Sequence, residues 1–152
     1  GIRVQVESGN LGRLVRQHAV EDDEPVWRPG LVGIGRDDTP ADVQLIAAKV
    51  VEMRIFDGPD ARRNDRSVKE IGGGVLVVSQ FTLLADVQKG RRPSFDNAMR
   101  PELAEPMFEQ LAALLRGMGI NTPTGIFRAH MHVHLTNDGP VTIIVETPPE
   151  PD

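Results

Sequence analysis

Cysteine is absent from the 152-residue chain, which excludes disulfide staples, thiol nucleophiles and thiolate metal sites. Tyrosine is absent too, and aromatic residues make up only 4%, so any core must rest on Val, Leu, Ile and Ala. No apolar run approaches the roughly eighteen residues that a membrane-spanning helix needs. No charged, apolar and small-residue leader pattern opens the sequence. These absences lead to the expectation of a cytoplasmic protein without membrane contact. A basic surplus is also missing: the formal net charge is −5, whereas proteins that live on phosphate contacts are usually basic. Any nucleic-acid ligand would have to be held by a local patch. Lys89-Gly90-Arg91-Arg92 is one candidate, and Arg62-Arg63 with Arg66 is another. Each reads first as a solvated charged turn.

What is present describes a globular chain. Hydrophobic residues make up 39% and charged residues 26%, and the length suits one domain over residues 1–147 with a proline-rich surface tail at 148–152. Residues 2–7 alternate apolar and polar, as a strand with one wet face does. Leu14–Val20 is a weaker strand pattern, and the acidic Glu21–Glu24 run before Pro25 is a loop pattern. Leu31–Gly35 reads as a short buried strand. Thr39 suits a helix N-cap, with Pro40 at the first helical position and Asp42 near the positive end of the dipole. Val43, Ile46, Ala47, Val50 and Val51 then form one apolar stripe. Residues 57–74 read as a long, mobile connection. Val75–Val78 is a strand buried on both faces.

A second helix is expected over 102–116. Its stripe would be Leu103, Met107, Leu111, Leu114 and Leu115, with Pro106 as a kink or true start and Gly117 and Gly119 as terminators. Phe127–Thr136 alternates strictly and reads as a strand, and Val141–Val145 is a further apolar strand. The expected class is therefore mixed α and β: a twisted or doubled sheet, barrel-like, covered by two helices.

Three constellations can carry chemistry. Ser79, Gln80 and Thr82 place two hydroxyls and an amide where the buried strand exits, a common position for functional groups. No acid or base lies in that motif, so a nucleophilic hydroxyl would need a partner from elsewhere. An ordinary strand end explains it as well. His130, His132 and His134 would share one face of a strand, as a metal site or as the wet face of an edge strand. Asn137-Asp138-Gly139-Pro140 has turn chemistry throughout.

In this order the pieces resemble the D-aminoacyl-tRNA deacylases. Ser79-Gln80-Phe81-Thr82-Leu83 stands as one complete family signature, and Asn137 to Thr142 as the second, Asn-x-Gly-Pro-Val-Thr. Arg92-Pro93-Ser94-Phe95 is similar to the Arg-Pro-x-Phe stretch between them, and Arg54-Ile55-Phe56 and Ser67-Val68 also look like family positions. The similarity covers roughly residues 29–147.

The resemblance implies a homodimeric hydrolase of D-aminoacyl-tRNA and mischarged glycyl-tRNA, using neither metal nor cofactor, with its active sites at the dimer interface. Ser79, Gln80, Phe81 and Thr82 would receive the aminoacyl-adenosine end, the Phe81 and Thr82 N–H groups serving as donors to the ester carbonyl. Gly139 and Pro140, joined by a cis bond, would form a chiral gate reaching into the partner's pocket. Phe127, Met131 and Asn137 would border the pocket, and Lys89, Arg91 and Arg92 would contact tRNA. A related branch acting on L-alanine mischarged to tRNA has Pro-Gln-x-Thr in place of the first signature, and Ser79 and Phe81 argue against it.

The chain departs from the family at its start. The family arginine that supports the gate is not in register here, Arg3 being the nearest, and Glu21–Glu24 looks like an enlarged hairpin. An inactive RNA-binding or dimerisation module and a histidine-based metal hydrolase are the alternative readings.

Overall fold

The computed structural model describes residues 1–7, 27–135, 137 and 139–148. The Leu14–Val20 strand pattern, the Glu21–Glu24 loop and most of the C-terminal tail lie outside the described residues. A four-stranded sheet runs in the order β5-β2-β1-β6, where β1 is Arg3–Glu7, β2 Trp27–Gly33, β5 Gly74–Ser79 and β6 Thr142–Glu146. β1 pairs antiparallel with β2 and β6, and β2 pairs parallel with β5. Two helices, α1 (Pro40–Glu52) and α2 (Pro101–Gly117), pack on each other and on the sheet. The mixed α and β class with two covering helices is as expected.

Period two in β1 sets the layering. Ile2, Val4 and Val6 are buried while Arg3 and Gln5 between them are half-buried. Val4 aligns with Val32 and Val6 with Gly30, and these rows join Val75 and Val77 in the core beneath the helices. All five residues from Gly74 to Val78 are buried, as a central parallel strand requires. Its second edge is covered by residues 121–125, with Val75 and Val77 N–H groups donating to the Asn121 and Pro123 carbonyls.

α1 begins as its sequence dictates. The Asp42 carboxylate accepts from both the N–H and the hydroxyl of Thr39, each at 2.8 Å, and Pro40 occupies the first turn, where no N–H is needed. α2 runs unbroken through Pro106. It ends at Gly119 (φ +86), whose N–H donates to the Arg116 carbonyl while that of Ile120 donates to Leu115.

Four expectations are corrected. The buried stripe of α2 is Ala104, Phe108, Leu111, Ala112 and Leu115; Leu103 is 62% exposed, and Met107 and Leu114 are only half-buried. The helix turns Ala104 and Ala112 inward. Residues 57–74 are not a bare connection. They carry β4 (Arg66–Ser67), which pairs with β3 (Arg54–Phe56), and a turn in which Ser67 and Glu70 cap each other through backbone N–H groups. The buried strand at 31–35 starts earlier, at Trp27, and stops at Gly33.

Phe127–Thr136 is not a strand in its described part. A turn at Phe127–Arg128, with Arg128 at φ +62 and the Ala129 N–H donating to Ile126, breaks it at its start, and alternation without a neighbouring strand cannot build a ladder.

Candidate active site

β5 carries Ser79 to the end of the sheet. There the Gln80 N–H still donates to the Val32 carbonyl of β2 at 2.7 Å. The chain then folds into one 3-10 turn, Phe81–Leu84, closed by the Leu83 N–H on the Gln80 carbonyl and the Ala85 N–H on the Thr82 carbonyl. The turn lies against Gly33, where a Cβ would sit 3.0 Å from the Gln80 oxygen and 3.3 Å from the Leu83 Cβ. Only a residue without a side chain lets the backbones approach this closely. The turn offers no carbonyl to the Phe81 and Thr82 N–H groups, because its first internal bond is made by Leu83. The Gln80 side-chain amide donates to the Thr82 hydroxyl, so one signature residue fixes another.

Ser79, Gln80 and Phe81 form one wall of a cleft of about 520 Å³ between the sheet and the start of α2. Phe95 and Phe127 supply further aromatic wall. Phe95 meets Phe81 edge-on with ring centroids 5.0 Å apart, and Phe127 leans on the buried Phe108 at 5.8 Å. Among the described residues no carboxylate and no imidazole lines the cleft; its only charged side chains are Arg100 and Arg128. Among the described residues two carboxyls depart from their ordinary acidity, and both lie elsewhere. Burial pushes Asp38 up, and the Ser67 backbone N–H holds Glu70 down.

The remaining candidate residues fall into separate places. Thr82 is exposed beside the cleft. Lys89, Arg91 and Arg92 are exposed on a loop closed by paired backbone bonds between Asp86 and Ser94, and this loop leads directly to Phe95. Met131 packs behind Gly125 and does not line the cleft.

Gly139-Pro140 is a cis bond in an exposed loop, and neither residue lines the cleft of its own chain. Gly139 has φ +142, and a Cβ there would meet Val141 Cγ2 at 2.8 Å, so the loop demands glycine. Asn137 braces the loop: its side-chain oxygen accepts the Val141 N–H at 2.9 Å and its amide donates to the Thr142 hydroxyl at 3.1 Å. Arg3 does not reach Gly139-Pro140. It donates to the Leu83 carbonyl at 2.7 Å and pairs with Glu146 of β6.

His130, His132 and His134 are exposed; His130 meets His132 edge-on and His132 lies tilted against His134, at centroid distances of 5.4 and 6.5 Å. No group of three or more His, Asp or Glu residues suited to a metal ion is formed among the described residues. Sequence reading missed Arg100 and Arg128 altogether, since single arginines outside a cluster give no signal. The positive φ of Arg128, a conformation costing a non-glycine residue about 1–3 kcal/mol, is visible only in three dimensions.

Residues 29–146 match the family model described as D-Tyr-tRNA(Tyr) deacylase. The chain belongs to the D-aminoacyl-tRNA deacylase family. It is 52% identical over 116 residues to the D-aminoacyl-tRNA deacylase of Thermotoga petrophila, spanning 76% of this chain and 77% of that one. It is 42% identical over 140 residues to that of Desulfitobacterium hafniense, spanning 89% and 93%. Among solved structures, a c-Myc DNA unwinding element binding protein superposes with a TM-score of 0.81 at 30% identity, over 97% of this chain and 99% of that one. A probable eukaryotic D-amino acid tRNA deacylase shares the fold, with a TM-score of 0.77 at 16% identity over 96% and 99%. Both expected signatures, Ser79–Leu83 and Asn137–Thr142, fall within the matched residues.

Proposed function

We propose that the protein hydrolyses the ester of D-aminoacyl-tRNA, releasing the D-amino acid and free tRNA, and does the same to mischarged glycyl-tRNA. The observation that carries this reading is a cleft with aromatic walls, hydrogen-bond donors and, among the described residues, no carboxylate or imidazole. Such a site suits a substrate that is already activated. The α-ammonium group of an aminoacyl ester draws electrons from the carbonyl, and the vicinal 2′-hydroxyl of the terminal ribose assists attack by water. The protein then needs to supply position and donors to the developing oxyanion. The Phe81 and Thr82 N–H groups take that role, Gln80 and Thr82 hold the turn rigid, and Phe127, with Met131 behind Gly125, bounds the pocket. Thr82 orients; it is not the nucleophile.

Chirality is set by Gly139 and Pro140 of a second copy. The loop stands away from its own cleft, and β6, which follows it, is an edge strand. Phe81, Ile126, Val133, Val141 and Ile144 are exposed apolar side chains whose burial suits a homodimer with the sites at its interface. Backbone carbonyls of the gate would hold the ammonium group, leaving room for a D side chain and driving an L side chain into the loop. Asn137 keeps the loop in place.

Side-by-side deacylation of D-Tyr-tRNA and L-Tyr-tRNA tests the reading. Loss of the D-ester with the L-ester spared is expected, together with a dimeric mass by light scattering. Turnover of neither ester would overturn it.

A further inference from the structure

We propose that Arg100 and Arg128 grip the phosphodiester that joins the terminal adenosine of the substrate to the rest of its acceptor strand. The assignment rests on the deacylase reading and deepens it, because it says which way round the substrate lies and how an acidic protein holds a polyanion.

The cleft lining combines uncharged polar groups with two cations and, among the described residues, no carboxylate. Ser79 and Gln80 stand at the close of β5, whereas Arg100 precedes the first turn of α2 and Arg128 follows Phe127. Both guanidiniums belong to exposed residues, and among the described residues neither enters an ion pair.

Arg128 is held at φ +62, a backbone conformation that glycine would adopt without cost, yet a long cation occupies it, between the cleft residues Phe127 and Ala129. Next to Arg100 the first turn of α2 adds the positive end of a seventeen-residue helix.

Charge then fixes orientation. The esterified amino acid has no free carboxylate and carries a cationic ammonium group, so two arginines repel that end. The first anion the substrate offers beyond its adenosine is the phosphodiester on the 5′ side. Guanidinium forks match phosphate oxygens in geometry and charge. In this orientation the base would lie among Phe81, Phe95 and Phe127, whose rings offer stacking surface. Lys89, Arg91 and Arg92 do not line the cleft and would meet the strand further along.

The test compares two esters that differ only in phosphate: D-Tyr-tRNA and D-tyrosyl-adenosine, which has none. In the R100A/R128A double variant, KM for D-Tyr-tRNA should rise about tenfold, the loss expected for charge-assisted hydrogen bonds. KM for D-tyrosyl-adenosine should stay within about twofold, since no charged contact is lost there. The log–log dependence of kcat/KM on salt should become shallower by about 0.7, one single-strand phosphate contact. The R100K/R128K variant should keep the wild-type salt slope with an intermediate KM.

A KM that rises equally on both esters, or an unmoved KM and salt slope on D-Tyr-tRNA, would overturn the assignment. Wild-type protein inactive on both esters is a different result: it overturns the deacylase reading, and the assignment with it.

Discussion

The ring of Phe95 stands edge-on against that of Phe81 at 5.0 Å, so the loop carrying Lys89, Arg91 and Arg92 ends on the residue that forms the cleft wall. An aromatic pair of this kind contributes about 0.5–1.5 kcal/mol beyond its buried area. Phe95→Ala should therefore raise KM for D-Tyr-tRNA roughly two- to tenfold while the melting temperature changes little, because Phe95 is only half-buried. Steady-state kinetics and a thermal melt read the two effects separately.

Thr82 accepts a hydrogen bond from the Gln80 amide and, among the described residues, is bonded to nothing that could deprotonate it. Thr82→Ala removes one hydrogen bond, worth about 1 kcal/mol, and should lower kcat by roughly fivefold. Complete loss of single-turnover activity in a folded, substrate-binding variant would mark Thr82 as the nucleophile instead.

Gly139 has a backbone φ of +142 and no room for a Cβ beside Val141. Gly139→Ala must displace an exposed loop rather than the core. Discrimination should suffer while the fold persists: the ratio of kcat/KM for D-Tyr-tRNA to that for L-Tyr-tRNA is expected to fall by about tenfold or more, the effect of removing a positioned steric barrier. An unchanged ratio would separate this loop from chirality.

Leu111 and Leu103 belong to one helix and to opposite environments, 2% and 62% exposed. Leu111→Ala should cost about 2–5 kcal/mol in urea unfolding. Leu103→Ala should stay within about 0.5 kcal/mol. Similar costs for both would contradict the observed face of α2.

Glu70 accepts the Ser67 N–H at 2.6 Å, and this bond holds its carboxyl below the usual glutamate value. A lowered folded-state pKa means that the bond's contribution is fully present above the unfolded value and is lost as pH falls through the folded one. An NMR titration should place the Glu70 midpoint below that of a free glutamate, and Ser67→Pro, which removes the donor, should return it there. A midpoint at or above the free value would exclude the cap in solution.

What the amino-acid sequence determined by itself is local. Thr39-Pro40 and Asp42 start α1, Val75–Val78 is buried on both faces, the period of two in residues 2–6 divides core from solvent, and two short signatures identify the family. Each depends on neighbours within a few residues, so the string carries it.

What only the tertiary structure decided is which surfaces meet. Ala104 and Ala112 are buried while Leu103 is exposed, a choice of face that a count of large hydrophobic residues misses. Residues 130–135 alternate like a strand and yet have no partner strand among the described residues, since a ladder depends on a neighbour and not on a pattern. Arg100 and Arg128, twenty-eight positions apart and unremarkable in sequence, border one cleft, a relation that exists only once α2 and the Phe127 turn have packed against the end of β5.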